Sequence, residues 1–185
     1  MKSPTIIVIG NGMVGYKFCE KLRSKNSSYR IIVFGEEPRR AYDRVHLSEY
    51  INEKTADELS LSSENWYIEN NIELYLNNPI INIDRDAKVV YANDGLKYKY
   101  DYLVFASGSA AFVPTIPGIE KDGVFVYRTI EDLDLIKAYA KKAKNAAVIG
   151  GGLLGLEAAK ALIDLGINKT CVIEFAPRLM PRQID

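Results

Sequence analysis

Ile6 to Leu22 reads IIVIGNGMVGYKFCEKL, and Ala146 to Leu162 reads AAVIGGGLLGLEAAKAL. Laid over one another, Val8-Ile9-Gly10 falls on Val148-Ile149-Gly150, Gly12 on Gly152, Gly15 on Gly155 and Leu22 on Leu162. Each copy opens with a short apolar run, passes a glycine-rich turn and continues into a helix with one apolar face. A second apolar run follows in each: Ile31 to Phe34 in the first, Cys171 to Ile173 in the second. Short apolar runs flanked by turns read as buried parallel strands, and strand, helix, strand is a βαβ unit. The chain carries that unit twice, which predicts an α/β protein with parallel sheets.

The glycines fall in a G-x-G-x-x-G spacing, weak evidence alone but informative between a strand and a helix. Gly10 permits the tight turn, Gly12 lets a pyrophosphate approach the backbone, and Gly15 lets helix and strand pack closely. The helix N-terminus offers free N–H groups and about half a positive charge to an anion. Glu36, with Glu37 as the neighbouring candidate, stands at the end of the second strand, placed to accept from a ribose diol. Gly150, Gly152 and Gly155 repeat the pattern, closing on Glu174. A carboxylate there repels a 2′-phosphate and favours NADH over NADPH, a preference that nearby Arg178 tempers. Two such modules in tandem suit hydride transfer between a nicotinamide and a flavin, which requires the two rings in contact.

Between the repeats the pattern changes to short strands and turns: Glu73 to Leu76, Ile80 to Asp84, Lys88 to Tyr91, the hairpin signal Asn93-Asp94-Gly95, and Leu96 to Tyr100. This reads as a small β-meander inserted in a Rossmann-like domain. Tyr102 to Phe105 returns as a strand before Ala106-Ser107-Gly108, and Pro114 with Pro117-Gly118 marks a boundary. Thr129 and Asp132 form a capping-box signal for a helix over Glu131 to Lys142. The expected division is an FAD-binding domain over 1–115 and the start of an NAD-binding domain over 116–185, incomplete because only strand, helix and strand fit after Ala146.

Composition excludes other classes. Lys plus Arg equals Asp plus Glu at 24 each, so no net field attracts nucleic acid or an anionic membrane. A basic groove that could make Trp66 and Tyr67 a stacking platform is missing. Apolar runs fall far short of the roughly 20 residues of a spanning helix. Lys2 leads at once into a strand, without a signal-peptide pattern, so a cytoplasmic location is expected. His46 is the single histidine and no cysteine cluster exists, so no metal site is expected; His46 reads as a loop or packing residue. Cys19 and Cys171, among apolar neighbours, read as buried inert thiols.

The fingerprints, the stretch Glu36 to Tyr50 (EEPRRAYDRVHLSEY), Tyr127 to Leu133 (YRTIEDL) and Glu174 to Met180 (EFAPRLM) resemble the two-dinucleotide-domain flavoprotein reductases. Within these the chain is similar to the N-terminal FAD/NAD-binding part of the NADH-dependent assimilatory nitrite reductase large subunit. That resemblance implies FAD and NADH as cofactors. It places Gly10, Gly12, Met13, Val14, Gly15 and Glu36 on the FAD pyrophosphate and ribose, Arg44 on a phosphate or the adenine side, Ile80 on the adenine through its backbone, and Ala106, Ser107 and Gly108 on the cofactor again. Leu153 and Leu154 join the second set of glycines, and Glu157 would lie near the nicotinamide. For Arg44 a surface ion pair with Asp43 or Glu49 is the alternative; for Glu157, a solvated helix face. Related ferredoxin and rubredoxin reductases often carry lysine where this chain has Glu49. No catalytic residue is assigned.

The family pattern further implies a C-terminal region, or a partner chain, bearing iron–sulfur and sirohaem centres. Three explanations for a short chain stay open: deliberate shortening, a split or truncated gene, and a degenerate product. The expected activity is hydride transfer from NADH to FAD with onward electron delivery. Two alternatives remain: an NADH-dependent ferredoxin or rubredoxin reductase, and a non-catalytic nucleotide-binding fragment. Disulfide reductases need redox cysteines that Glu36 to Tyr50 lacks.

Overall fold

The computed structural model describes residues 3–26, 28–51 and 54–180; Lys2 lies outside them. The chain packs as two compact units, Met1–Asp43 with Ser60–Ser109, and Arg44–Leu59 with Ala110–Asp185.

In the first unit, β1 (Thr5–Ile9), α1 (Met13–Lys25) and β2 (Arg30–Phe34) form the expected βαβ unit. A short α2 (Trp66–Glu69) leads to β3 (Ile72–Tyr75). The strands β4 (Ile80–Asp84), β5 (Val89–Ala92) and β6 (Lys97–Lys99) precede β7 (Tyr102–Phe105). A four-stranded sheet runs β3-β2-β1-β7, every pairing parallel, and β4-β5-β6 form a separate antiparallel sheet. The strand near Glu73 therefore belongs to the parallel sheet rather than to the meander, because Leu74 pairs with Val33 in register.

Alternation along β1 sorts its side chains onto two faces. Ile6 and Val8, with Ile31 and Val33, pack against Cys19 and Tyr67, while Ile7, with Ile32 and Phe34, packs against Val90 and Ala92 of the meander. The sheet is thus covered on both sides, as an all-parallel sheet requires. Phe34 stacks on Tyr75 at 5.1 Å and meets Tyr98 edge-on at 4.9 Å. Asn93-Asp94-Gly95 makes the expected turn, Gly95 sitting at φ +82° and donating to the Ala92 carbonyl at 3.0 Å.

In the second unit, a 3-10 helix (Leu47–Ile51) buries Leu47 and Ile51, and α3 (Ile130–Ala140) buries Ile130 and Leu133. Tyr50 donates from its hydroxyl to Asp134 at 2.7 Å, and the Lys137 ammonium lies over the Tyr50 ring at 4.4 Å. The capping box is present: Asp132 N–H donates to Thr129 Oγ at 3.1 Å, and Thr129 N–H donates to the Asp132 carboxylate at 2.8 Å. β8 (Asn145–Ile149), α4 (Leu153–Asp164) and β9 (Lys169–Ile173) repeat the βαβ unit, with β8 and β9 parallel. One correction concerns Cys171, which is exposed, not buried. In β8 and β9 alternate residues are half-buried, and Ala147, Ile149, Cys171 and Ile173 fall on the exposed positions.

Candidate functional site

The two fingerprints share their main-chain features. Gly10 N–H donates to the Phe34 carbonyl and Gly150 N–H to the Ile173 carbonyl, both at 2.8 Å, so each loop is pinned to the tip of its second strand. Gly10 and Gly150 sit at φ +109° and +111°, a backbone that side chains rarely adopt. A Cβ on Gly15 would overlap the Gly10 carbonyl oxygen, and one on Gly155 the Gly150 carbonyl oxygen, so each helix begins pressed against its own turn. Gly12 and Gly152 are the extended N-caps of α1 and α4, and a Cβ on either would meet nothing within 4 Å. The space over those two residues is where a ligand can touch the main chain. Neither helix has an acidic residue in its first turn, so the positive end is not neutralised. Met13 and Val14, like Leu153 and Leu154, are exposed there.

The first unit gathers most of the residues expected around FAD. Ala106 N–H donates to the Ile9 carbonyl at 2.7 Å, and a Cβ on Gly10 would overlap the Ala106 carbonyl oxygen. Ala106 therefore backs the fingerprint, and Ser107 and Gly108 follow it, exposed, with Gly108 at φ +71°. Glu36 is exposed just past β2, whereas Glu37 accepts from the Tyr42 hydroxyl at 2.7 Å, which makes Glu36 the better ribose candidate of the two. Asn77 and Asn78 N–H groups donate to the Glu37 and Gly35 carbonyls at 3.2 and 3.0 Å, drawing the start of β4, and with it Ile80, to this turn.

Gly150, Gly152, Leu153, Leu154, Gly155, Glu157 and Glu174 lie in the second unit, as does Arg44, which donates to the Arg128 carbonyl at 2.9 Å. Glu49 pairs with Lys54 at 2.5 Å. Glu174 accepts from Gly151 N–H at 2.6 Å and from Ala176 N–H at 2.8 Å. The Ala176 amide, then those of Gly151 and Phe175, hold its carboxyl below the usual glutamate value. The turn after β9 closes over the same loop, Met180 N–H donating to the Gly151 carbonyl at 2.8 Å.

Sequence reasoning missed three side chains. Tyr67 donates from its hydroxyl to Asn11 Oδ1 at 2.7 Å, placing both against the first fingerprint. Tyr127 has a buried hydroxyl without a partner among the described residues; burial, then the nearby Glu157 carboxylate, pushes it up to about 12. No sequence signal marks the Tyr67–Asn11 contact, since the two residues lie 56 positions apart. Among the described residues no group of three or more metal-ligating side chains occurs, and no helix is long and apolar enough to cross a membrane.

Fold and loops together define a protein with two dinucleotide-type βαβ modules in one chain. Residues 4–185 match the family described as pyridine nucleotide-disulphide oxidoreductase, and the chain belongs to it. It is 49% identical, over its whole length, to the nitrite reductase (NADH) large subunit of Escherichia coli (strain K12), of which it covers 22%, and 42% identical to the nitrite reductase [NAD(P)H] of Bacillus subtilis (strain 168), of which it covers 23%. The chain thus spans about a fifth to a quarter of these curated relatives. A crystal structure of NADH:rubredoxin oxidoreductase from Clostridium acetobutylicum shares 32% identity with a TM-score of 0.87, covering all of this chain and 48% of that one. Despite the family's name, the two cysteines are both free, one in each unit.

Proposed function

We propose that the chain is the reductase module of an NADH-dependent flavoprotein, with FAD at the first fingerprint over 1–115 and NADH at the second over 116–185. The open space over Gly12, at the un-neutralised start of α1, carries this reading: a cradle that a methyl group would fill fits a pyrophosphate. FAD, when bound, supplies an acceptor for hydride from NADH and a carrier for onward electrons. The α1 N-terminus would neutralise the pyrophosphate, Glu36 would fix the ribose, and Ala106, Ser107 and Gly108 would line the way beyond. Gly152, Leu153 and Leu154 would do the same for NADH, Glu174 selecting against a 2′-phosphate. Arg44 and Glu157 are assigned to cofactor contact on the same reading.

The likeness to nitrite reductases supports nitrite as the final acceptor, reached through iron–sulfur and sirohaem centres outside residues 1–185, in the cytoplasm. A small iron–sulfur protein is the second acceptor to test, on the likeness to the rubredoxin oxidoreductase. The absorbance of the purified chain from about 300 to 600 nm, before and after anaerobic NADH, tests the core of the reading. Flavin bands that bleach support both sites. Absence of flavin after reconstitution refutes FAD binding by this chain.

A further inference from the structure

The two fingerprints differ in how their middle residue is held. In the second, the main chain of Gly151 is fixed by the Glu174 carboxylate. In the first, Glu36 is exposed beyond the turn, and position 11 is asparagine, whose Oδ1 takes a hydrogen bond from Tyr67 at 2.7 Å. The Asn11 Nδ2 is buried and has no partner among the described residues, so the phenol is the amide's one side-chain anchor. Tyr67 itself is fixed. It is 3% exposed and sits in the core on α2 against the Trp66 ring. Its oxygen therefore ties the packed core to the fingerprint loop that flanks the proposed FAD cradle, through Asn11.

We propose that Tyr67 is a positioning residue for the first nucleotide site, its hydroxyl latching the 10–15 loop through Asn11 and leaving Glu36 uncommitted for a ribose. The FAD component rests on the function proposed above. The latch itself is a property of the protein without ligand. Tyr67→Phe keeps the ring and its packing and removes only the hydroxyl; Asn11→Ala cuts the same link from the other side.

Amide hydrogen exchange of residues 10–15 in the purified chain without nucleotide reads the latch directly, and FAD titration reads its consequence. Tyr67→Phe is expected to speed exchange in that loop and weaken FAD binding by about tenfold, equivalent to about 1.4 kcal/mol. NADH binding should stay unchanged, and the double variant should lose no more than either single one. Unchanged loop exchange in Tyr67→Phe overturns the latch. So does a second full loss when Asn11→Ala is added. If the parent chain takes up no FAD, the function proposal falls, and exchange alone decides the latch.

Discussion

Replacing Gly12 by alanine separates the ligand's needs from those of the fold. At an N-cap, alanine is worse than glycine by roughly 0.5–1 kcal/mol. Narrowing the unfolded chain's freedom returns about 0.4–1 kcal/mol, because Gly12 already sits at φ −92°. The new methyl meets nothing within 4 Å, so no steric cost is added. Net stability should change by less than about 0.6 kcal/mol, a melting shift under about 2 °C for a chain of this size. Binding should behave differently. A methyl where a phosphate oxygen approaches the main chain displaces that oxygen by roughly 1 Å and costs one to two charge-assisted hydrogen bonds, at about 1.5–3 kcal/mol each. FAD affinity should fall by at least about tenfold. Thermal melting and flavin-fluorescence titration check both halves, with Gly152→Ala as a mirror that should lower NADH affinity only. A Gly12→Ala protein that melts normally and binds FAD within about twofold of the parent would refute the pyrophosphate's assignment to Gly12.

Glu174→Ala should weaken NADH binding while leaving FAD untouched; equal loss of both in paired titrations would sink the two-site assignment. Because backbone amides depress the folded-state value of Glu174, its contribution is fully present above the ordinary glutamate value of 4.5 and lost as pH falls through the depressed value. Protection of the Gly151 amide should follow that acid titration, and Glu174→Gln should abolish its pH dependence. Cys171, exposed on β9, should react with a thiol reagent in the native protein, whereas Cys19, fully buried with its thiol pushed up to about 12, should react only after unfolding. Two reactive thiols in the native state would contradict the packing of α1.

Local signals carried the sequence reading far. The two βαβ units, the Asn93-Asp94-Gly95 turn and the Thr129–Asp132 box each depend on residues within a few positions of one another, and each stands where spacing placed it. What escaped depends on partners distant in sequence. β3 joins the parallel sheet through β2, a pairing across 41 residues between Ile31 and Ile72 that no periodicity announces. The segment Arg44–Leu59 groups with the second unit, its 3-10 helix burying Leu47 and Ile51, and no local spacing signal assigns it there. Cys171 lies in an apolar run, and apolar neighbours in sequence do not establish that both faces of a strand are covered. The Tyr67–Asn11 link, 56 residues apart, was hidden for the same reason.

The close approach of Gly10, Gly15 and Ala106 sets an order of events during synthesis and folding. Gly10 is boxed in by the backbone of residues 106 and 107, so the first loop cannot reach its final form until β7 has been made and docked on β1. Among the described residues Gly150 has no such distant neighbour; its N–H donates to the Ile173 carbonyl, and the loop's other ties, to Glu174 and Met180, are likewise close in sequence. Closing the longer loop carries the larger entropic cost, and non-local contacts form slowly. Pulse-labelled exchange during refolding should therefore find the second turn protected before the first, although the ribosome delivers them in the opposite order.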